Sequence, residues 1–399
     1  MNELEKLKQE LQIKEKIILE KDKISIKQEN IISEPKEKRN QDKPNSLDFD
    51  TFRTSSKLFK SFNGHKTNVY CIDYLTFGDS QFICSGAEDK TIRVWDIETT
   101  EQIQIFTGHS DDVSCVKFSS YHYCNQHSTV ICSASSDKTI CFWDIKNDKS
   151  FQIFNGHTDG VYGIELSSFN GGRYLCSGSH DNTVGLWDIE TSRSLHIFNE
   201  HTNWVWCVDI SPLQNNDNNN DNKNNSIGVI GGNGYTICSG SLDRTIRIWD
   251  IETTKQLIVF KGHEYAVRSV KYGSNELINT ILSGSWDTSM RLWDIRSGQQ
   301  IQVFNGHTRE VNAVAYSPLV NGNGNMICSG SWDNTIRFCD IRSNKELHVI
   351  KGDDVKDDGI LCFKFLGLKE EKVKKNERTE NGSCSLCYGS SKGIIRIWE

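Results

Sequence analysis

The residues best suited to chemistry are a histidine, a serine and an aspartate that recur together along the chain. In the first copy they are His65, Ser85 and Asp89, and Trp95 follows them. These are the residue types of a catalytic triad, in which histidine takes the proton of a serine nucleophile and aspartate orients the imidazole. A catalytic site needs such a set once, whereas this chain carries it six times with small variations. The repetition argues against a hydrolase, and no unique nucleophile or glycine-rich phosphate loop indicates another enzyme.

Cysteines are the other candidates for site chemistry, since the chain has 14 of them. Five fall in segments similar to ICSG, where a small apolar side chain suits a buried strand. Cys384 and Cys387 form the one CxxC pair. Residues three apart on a strand face opposite sides of the sheet, so these two sulfurs could not share a metal ion. We therefore expect no metal and no other cofactor.

The overall composition limits the class of partner and the compartment. A formal net charge of −7 argues against nucleic-acid binding, which needs a basic surface to neutralise phosphates. No apolar run approaches the roughly 18 residues that span a bilayer. The charged N-terminus, MNELEKLKQELQIKEK, lacks the apolar stretch of a secretory signal. We expect an intracellular protein, cytoplasmic or nuclear, with reduced cysteines.

An internal repeat organises most of the chain. Gly-His pairs open the copies, for example at His65 and His109, which lie 44 residues apart, and the first five copies end on Trp-Asp. The sixth copy has Cys339 at the tryptophan position, and the seventh ends on Trp398. Each copy contains four short segments with period-2 alternation and β-branched residues, separated by polar breaks. The sequence therefore predicts seven units of four β-strands.

This pattern of Gly-His, four strands and Trp-Asp resembles the WD40 family over residues 57–399. The resemblance implies an all-β fold, a seven-bladed β-propeller with four-stranded antiparallel blades around a central channel. In this family each repeat supplies the outermost strand of one blade and the inner three strands of the next. Residues 57–62 precede the first Gly-His as EQIQIF precedes the second. We therefore expect 57–62 to pair with 394–398, which closes the ring and covers an open strand edge.

The resemblance also implies that the repeated sets are buried structural tetrads, in which an indole N–H, a hydroxyl, an imidazole and a carboxylate satisfy one another's hydrogen bonds. The predicted tetrad residues are His65, Ser85, Asp89, Trp95, His109, Ser133, Asp137, Trp143, His157, Ser177, Asp181, Trp187, His201, Ser239, Asp243, Trp249, His263, Ser283, Asp287, Trp293, His307, Ser329 and Asp333. The seventh copy keeps Trp398 but has Asp353, Tyr388 and Lys392 at the other three positions. We expect blade seven to be the least stable.

The breaks between strands distinguish the two faces of the expected propeller. The large insertions at 119–127, 214–232 and 367–383 all follow the first strand of a copy. They would share one face, called the bottom, and the asparagine-rich composition of 214–232 is typical of disorder. Turns between the second and third strands keep a constant length. The face that carries those turns, called the top, is the better candidate for recognition.

Three positions per blade commonly face the top in WD40 proteins, two at the start of the innermost strand and one before the aspartate of the tight turn. Tryptophan, tyrosine and arginine dominate interface hot spots, and four tryptophans gather at these positions in copies four to six. The alternative is that some of them only pack between blades. The predicted partner-binding residues are Tyr70, Glu88, Tyr162, His180, Trp204, Trp206, Arg268, Trp286, Glu310, Trp332 and Asp358.

Acidic residues are expected on the top rim opposite the tryptophans. They are Glu88, Asp111, Asp112, Asp159, Asp353, Asp354, Asp357 and Asp358. A charge run is often only a solvated surface. Combined with the aromatic half-ring on the other side, however, such a rim suits a peptide that carries arginine or lysine.

The N-terminal residues 1–34 are rich in Glu, Lys, Leu and Ile and contain neither glycine nor proline. A partial heptad is interrupted by polar residues, so we expect a helical arm and hypothesise a coiled coil that supports self-association. The alternatives are a solvated single helix or a disordered arm. Residues 35–56 are expected to be a linker.

Together these features predict a non-enzymatic scaffold of a multiprotein complex that binds a protein or peptide. One alternative is a substrate receptor of a cullin-type ubiquitin ligase. The segment at 281–296 resembles the WDxR box through which some WD40 proteins dock the ligase adaptor, and the segment at 327–342 carries it imperfectly. Arg296 and Arg342 would then bind on the bottom face. An enzyme built on the propeller is the other alternative, and no single residue supports it.

Overall fold

The computed structural model describes residues 49–78, 80–147, 149–211, 235–319, 326–368 and 383–399. The predicted arm at 1–34 and the insertion at 214–232 lie outside the described residues. In the described part, 28 β-strands form seven antiparallel four-stranded sheets. The innermost strands of neighbouring sheets contact one another around a central channel. The predicted seven-bladed β-propeller is therefore confirmed.

The strands follow one another in the same order in every blade, from the channel to the periphery. Blade one consists of β2 (Val69–Phe77), β3 (Ser80–Ala87), β4 (Ile92–Asp96) and β5 (Gln102–Phe106). Blade two consists of β6 (Val113–Phe118), β7 (Val130–Ser135), β8 (Ile140–Asp144) and β9 (Ser150–Phe154). Blade three consists of β10 (Val161–Leu166), β11 (Tyr174–Ser179), β12 (Val184–Asp188) and β13 (Arg193–Phe198). Blade four consists of β14 (Val205–Ile210), β15 (Thr236–Ser241), β16 (Thr245–Asp250) and β17 (Gln256–Lys261). Blade five consists of β18 (Val267–Tyr272), β19 (Thr280–Ser285), β20 (Met290–Asp294) and β21 (Gln299–Phe304). Blade six consists of β22 (Val311–Tyr316), β23 (Met326–Ser331), β24 (Thr335–Asp340) and β25 (Lys345–Lys351).

Blade seven combines strands from both ends of the described chain. Its strands are β26 (Ile360–Leu368), β27 (Ser383–Ser390), β28 (Ile394–Trp398) and β1 (Leu58–Asn63). β1 runs antiparallel to β28, with Phe62 opposite Ile395 and Leu58 opposite Trp398. Lys57 and Glu399 exchange two backbone hydrogen bonds at 2.9 and 3.1 Å just beyond this ladder. The outer edge of β28 is thus paired rather than open to another chain.

Packing between blades depends on a phenylalanine that ends the outermost strand. Phe62 of blade seven lies 5.7 Å from Trp95 of blade one, and Phe106 of blade one lies 5.3 Å from Trp143 of blade two, measured between ring centroids. These rings are buried. Because each contact joins the end of one repeat to the tryptophan of the next, the packing itself couples neighbouring blades.

A short helix before the propeller corrects the predicted linker. Residues 49–55 form α1 (Phe49–Ser55), and Phe49 and Phe52 are buried. Their ring centroids lie 5.7 and 5.8 Å from that of Phe338 in blade six, in a core that also includes Leu386 of blade seven. The end of the expected 35–56 linker is therefore part of the folded core. Apolar residues three positions apart share one helix face, which explains this packing.

The connections between first and second strands carry the remaining small helices. α2 (Ser120–Gln126) lies between β6 and β7, and 3₁₀ turns at Asn170–Gly172 and Asn275–Leu277 follow β10 and β18. These connections share one end of the strands. The long insertions between β14 and β15 and between β26 and β27 occupy the same connections but lie outside the described residues.

Candidate functional site

The repeated His, Ser, Asp and Trp residues form a hydrogen-bonded chain in each of the first five blades. In blade two the Trp143 indole N–H donates to Ser133 Oγ at 2.7 Å, and the Ser133 hydroxyl donates to His109 Nε2 at 2.7 Å. His109 Nδ1–H donates to Asp137 at 2.8 Å. The corresponding distances in the other four blades lie between 2.7 and 3.0 Å. This order of donors and acceptors requires a neutral imidazole protonated at Nδ1.

The pKa shifts of the tetrad aspartates and of three tetrad histidines agree with a neutral histidine beside an ionised aspartate. Burial raises the pKa of Asp137, but hydrogen bonds from His109 and Thr139 outweigh it and hold the pKa well below its ordinary range. The same balance holds for the other tetrad aspartates, Asp89, Asp181, Asp243, Asp287 and Asp333, with a serine at the threonine position in blade five. Burial lowers the pKa of the tetrad histidines His65, His201 and His263.

The tetrad serines are not accessible to a substrate. Ser85, Ser133, Ser177, Ser239, Ser283 and Ser329 are all fully buried. In the five complete tetrads each hydroxyl donates to histidine and accepts from tryptophan, so its single O–H is already committed within the network. A nucleophile must reach its substrate, and this geometry fits a structural network rather than an active site.

Blade six keeps part of the tetrad. His307 bonds to Ser329 and Asp333 at 2.8 Å each, and Cys339 is buried at the tryptophan position.

Blade seven has a buried ion pair in place of the tetrad. Asp357 is fully buried. Its carboxylate accepts hydrogen bonds from the Tyr388 hydroxyl at 2.9 Å, from the Asp353 backbone N–H at 2.7 Å and from Arg396 Nε at 2.9 Å. Arg396 also reaches Ser61 of β1 at 3.4 Å, so the network extends to the strand that closes the ring.

Lys392, at the position of the tetrad aspartate, has a side chain that is 53% exposed and pairs with Asp358 at 3.3 Å. One expectation for blade seven is wrong. Asp357 does not belong to the acidic rim, because it is buried in the ion pair. The loop before β26, residues 352–359, is longer than its counterparts, and the Asp357 side chain turns inward from it.

A β-bulge in every blade directs one side chain toward the mouth of the channel. In blade one the ladder passes from the Val69–Ala87 pair to the Cys71–Gly86 pair, and Tyr70 has no residue opposite it. Such a bulge re-aims the extra side chain. The residues at the seven bulges are Tyr70, Ser114, Tyr162, Trp206, Arg268, Asn312 and Leu361. They form a ring, and six of them line a cavity of about 230 Å³ at the mouth.

A backbone hydrogen bond places the other top-face positions beside this ring. In blade four the Leu242 N–H donates to the Trp204 carbonyl at 2.8 Å, and the equivalent bonds in the other blades measure 2.8 to 3.0 Å. In blade seven the acceptor is Gly359 rather than Asp358. The register there lies one residue later than expected. Asp358 is therefore outside the mouth, while Leu361, which was not predicted, lines it.

Six of the predicted residues form one continuous cluster across blades three to five. The His180 ring is stacked between Tyr162 at 3.6 Å and Trp204 at 3.9 Å, with interplanar angles of 9° and 10°. Trp206 meets Tyr162 and His180 edge-on at 4.7 Å, and Trp286 lies 5.8 Å from Trp206. The Arg268 guanidinium completes the cluster. Trp204 remains 40% exposed at its outer end.

Burial lowers the pKa of His180 to about 4. The imidazole is therefore uncharged at neutral pH, which suits its position between two aromatic rings.

Arg268 lines the mouth. Its guanidinium carbon is 4.0 Å from the Trp206 ring centroid, a cation–π distance. Burial lowers the pKa of Arg268. No carboxylate among the described residues forms an ion pair with it.

The remaining predicted residues lie around this cluster. Trp332 lines the same cavity, and the Arg309 guanidinium lies 5.6 Å from its ring. Gly359 has φ +123°, and a Cβ there would come within 2.6 Å of the Trp332 ring, so glycine is required for this placement. Glu310 pairs with Arg309 at 3.7 Å and, like Glu88, does not line the cavity.

The top of blades one and two has a negative potential. Asp112 lines the mouth, and burial, followed by the neighbouring Asp111 and Glu88, raises the pKa of its carboxyl. Asp111 is partly neutralised by Lys90 at 3.5 Å. Asp159 is exposed in the loop before β10.

A second ring of side chains below the mouth was not predicted. It comes from the fifth residue of the innermost strands and carries charges that pair across the channel. Lys117 bonds to Glu165 at 2.7 Å, Lys271 bonds to Glu165 at 3.0 Å and to Asp209 at 2.9 Å, and Lys364 pairs with Asp73 at 2.5 Å. The signal in the sequence is the recurrence of a charged residue four positions after the valine or isoleucine that begins the strand. These lysines are neutralised within the channel wall.

The WDxR-like arginines lie at the opposite end of the strands from the mouth. Arg296 and Arg342 are exposed in the turns after β20 and β24. Their backbone N–H groups donate to Asp294 and Asp340 at 3.0 and 2.9 Å, which directs the turns but leaves both guanidinium groups toward solvent.

Within the described ranges, no three His, Cys, Asp or Glu side chains are grouped so that they could hold a metal ion. No helix in those ranges is long and apolar enough to cross a bilayer.

Comparison with known proteins agrees with the architecture. The chain is similar to coatomer subunit beta'-1 of Arabidopsis thaliana, with 38% identity over 58 residues, 14% of this chain and 6% of that protein. It is similar to the WD repeat-containing protein WDS homolog of Arabidopsis thaliana, with 37% identity over 59 residues, 14% of this chain and 11% of that protein. It is 38% identical over 52 residues to transcription initiation factor TFIID subunit 5 of Caenorhabditis elegans, which is 13% of this chain and 8% of that protein. The matched stretches thus span a small part of each relative.

The WD domain, G-beta repeat family matches six segments of the chain, at residues 56–96, 100–144, 148–188, 192–250, 254–294 and 298–340. They cover well over half of the chain and end before β26, where the buried ion pair replaces the tetrad. The chain therefore belongs to the WD40 family.

Proposed function

We propose that this propeller is a non-enzymatic scaffold that binds a peptide or protein partner on its top face. The observation that carries the proposal is the continuous aromatic cluster around Trp204 and Trp206. Flat aromatic surface that is partly exposed beside a cavity is typical of interface hot spots. The cluster and the cavity of about 230 Å³ adjoin each other, so one extended segment can contact both.

The partner is expected to carry basic residues that lie over the rim of blades one to three. Glu88, Asp112 and Asp159 provide carboxylates there, and burial, followed by repulsion from Asp111 and Glu88, raises the pKa of Asp112. Lysine or arginine side chains of a partner would relieve this repulsion. Such contacts act through solvent and are screened beyond about 10 Å at 0.1 M salt, so affinity should fall as salt rises.

A peptide-array screen followed by titration of the best peptide tests the proposal. Trp204→Ala and Trp332→Ala should each weaken binding by about 2 kcal/mol or more if these residues are hot spots. Arg296→Ala, on the opposite face, is the matched control and should bind as wild type does. Binding that survives both tryptophan changes, or that is lost in Arg296→Ala, would rule out the top face as the recognition surface.

A second candidate function is docking to the adaptor of a cullin-type ubiquitin ligase. The observation that favours it is the exposure of Arg296 and Arg342 in equivalent turns of adjacent blades. Affinity purification with mass spectrometry should then recover ligase subunits with the wild-type chain and lose them with Arg296→Ala. Recovery that is equal for both chains would exclude docking through this arginine.

A further inference from the structure

We propose that the mouth of the channel is a carboxylate-binding subsite with Arg268 as its cation. The partner would insert an aspartate or glutamate side chain there, between the basic residues that lie over the rim. This inference rests on the proposed function, because it assigns the chemistry of one position in the same partner segment.

Arg268 differs from the other cations of the channel wall in having no counter-ion among the residues that the structure describes. Lys117, Lys271 and Lys364 each lie within 3.0 Å of a carboxylate. Arg268, one layer above them, contacts the Trp206 ring and forms no ion pair with any described residue. A partly buried charge without a partner is unfavourable, because burial removes hydration that nothing replaces. A ligand carboxylate would supply the missing counter-ion and can bind a guanidinium through two parallel hydrogen bonds.

Two further donors at the mouth also lack acceptors. The indole nitrogens of Trp206 and Trp286 are buried and form no hydrogen bond with the described residues. Both rings line the cavity together with Arg268. An indole N–H only donates, and so does a guanidinium, whereas an ionised carboxylate only accepts. The two indole donors without acceptors and the guanidinium without an ion pair therefore match an anion and oppose a lysine or arginine side chain at this point.

The charge around the cavity favours a carboxylate over a phosphate. Asp112 lines the same cavity, and a phosphate monoester carries nearly two negative charges at neutral pH. Its repulsion from Asp112 would exceed that of a singly charged carboxylate. Basic residues of the partner would lie outward, toward Glu88 and Asp159, and the acidic residue inward.

The test uses an array of peptides with randomised flanks and a fixed central residue, either glutamate, glutamine, arginine or phosphoserine. On the wild-type chain, central glutamate should bind roughly ten- to a hundredfold better than central glutamine, as for a hydrogen bond to a charged group. Arg268→Gln should remove this preference. Arg268→Lys should keep part of it, since lysine retains the charge but not the planar pair of donors. Arg309→Gln is the matched control, because Arg309 also faces a tryptophan but is exposed and does not line the cavity.

The outcomes separate this inference from the proposed function. If peptides bind in a Trp204-dependent way but central glutamate and glutamine bind equally, or if the preference persists in Arg268→Gln, the carboxylate subsite is excluded and the top-face function stands. A preference for central arginine or phosphoserine likewise excludes it. If no peptide binds the folded wild-type chain, both are excluded. Thermal melting of each variant shows whether it is folded, and Arg268→Lys decides the matter if Arg268→Gln does not fold.

Discussion

The buried ion pair of blade seven allows the stability of the ring to be tested by a nearly isosteric change. Asp357→Asn preserves the size of the side chain but removes its negative charge. Asp357 is fully buried and the Arg396 side chain is 8% exposed, so neither group can recover its hydration without unfolding. Removal of one partner of a buried pair typically destabilises a protein by about 3–5 kcal/mol. Asp353 lies 4.0 Å from Arg396 and partly compensates, so we expect a loss of about 3 kcal/mol.

Lys392→Ala provides the matched control in the same blade. Its ion pair with Asp358 has a longer distance of 3.3 Å and both side chains are more than half exposed, and exposed pairs contribute about 0–1 kcal/mol. Urea unfolding followed by tryptophan fluorescence gives the free energy of unfolding for each variant, provided that the slope m is unchanged. If Asp357→Asn lies within 1 kcal/mol of wild type, or is matched by Lys392→Ala, the ion pair is not what stabilises blade seven.

A double substitution tests whether the unpaired charge of Arg396 causes the loss of stability in Asp357→Asn. Arg396→Met in the Asp357→Asn background removes the unpaired guanidinium and leaves an apolar side chain of similar length. Because the loss in Asp357→Asn arises from an uncompensated buried charge, the double variant should be more stable than Asp357→Asn alone. If the change in the free energy of unfolding of the double variant equals the sum of the changes for the two single substitutions, the two side chains do not interact.

Three other predictions concern the tetrads, the ring closure and the channel thiols. Asp137→Ala should lower the free energy of unfolding by about 1–3 kcal/mol at neutral pH by leaving buried donors unpaired. Because the pKa of this carboxyl is depressed in the folded state, its stabilising contribution is present above the unfolded pKa of about 3.9 and is lost as the pH falls below that value. The urea midpoints of the variant and wild type should therefore converge in acid. Deletion of residues 1–62, which opens the edge of β28 and also removes the buried phenylalanines of α1, should cause aggregation and a lower melting temperature, whereas deletion of 1–45 should not; equal, monomeric behaviour of the two would contradict closure by β1. The Cys71 and Cys115 sulfurs lie 3.6 Å apart, and chiefly the hydrogen bond between them lowers the pKa of Cys71 to about 7. The rate of Cys71 alkylation by iodoacetamide should therefore titrate near pH 7, and this midpoint should shift upward in Cys115→Ala. An unchanged pH profile would refute the coupling.

Features that repeat with the period of the chain could be predicted from the sequence. The strand pattern recurs in seven copies, so a misjudged strand in one copy is corrected by the others. The tetrads could be predicted for the same reason. Trp143 and Asp137 hold positions in the second copy that are equivalent to those of Trp95 and Asp89 in the first. Recurrence thus replaces the information that a single segment lacks.

Features that occur once could not be predicted in this way. The longer loop of copy seven shifts the register by one residue, so that Leu361 rather than Ile360 reaches the mouth. Nothing in the local sequence shows that Asp357 turns inward, because an aspartate in a polar loop is usually solvated. The helix at 49–55 contains only two large apolar residues, and its burial depends on a groove that blades six and seven form in three dimensions.

The pairing of charges in the channel is another feature that the repeat could not predict. Lys271 and Arg268 lie on the same strand, β18, three residues apart. Within the described part of the chain, two carboxylates neutralise Lys271 and none neutralises Arg268. The difference arises from neighbouring blades, whose order around the channel brings Glu165 and Asp209 to the lower ring only.

The contrast between repeated and singular residues also indicates where function lies. The bulge that opens each innermost strand gives every blade one side chain at the mouth, in the same backbone setting, whatever its type. Stability does not dictate those types, since Ser114, Trp206, Arg268 and Leu361 all occupy equivalent bulges. The tetrads, in contrast, must keep their donors and acceptors in order, and their residue types do not vary across the first five blades. A position that the fold holds in place but does not specify is free to determine a partner. An arginine without a counter-ion at such a position is therefore better explained by a ligand than by the fold.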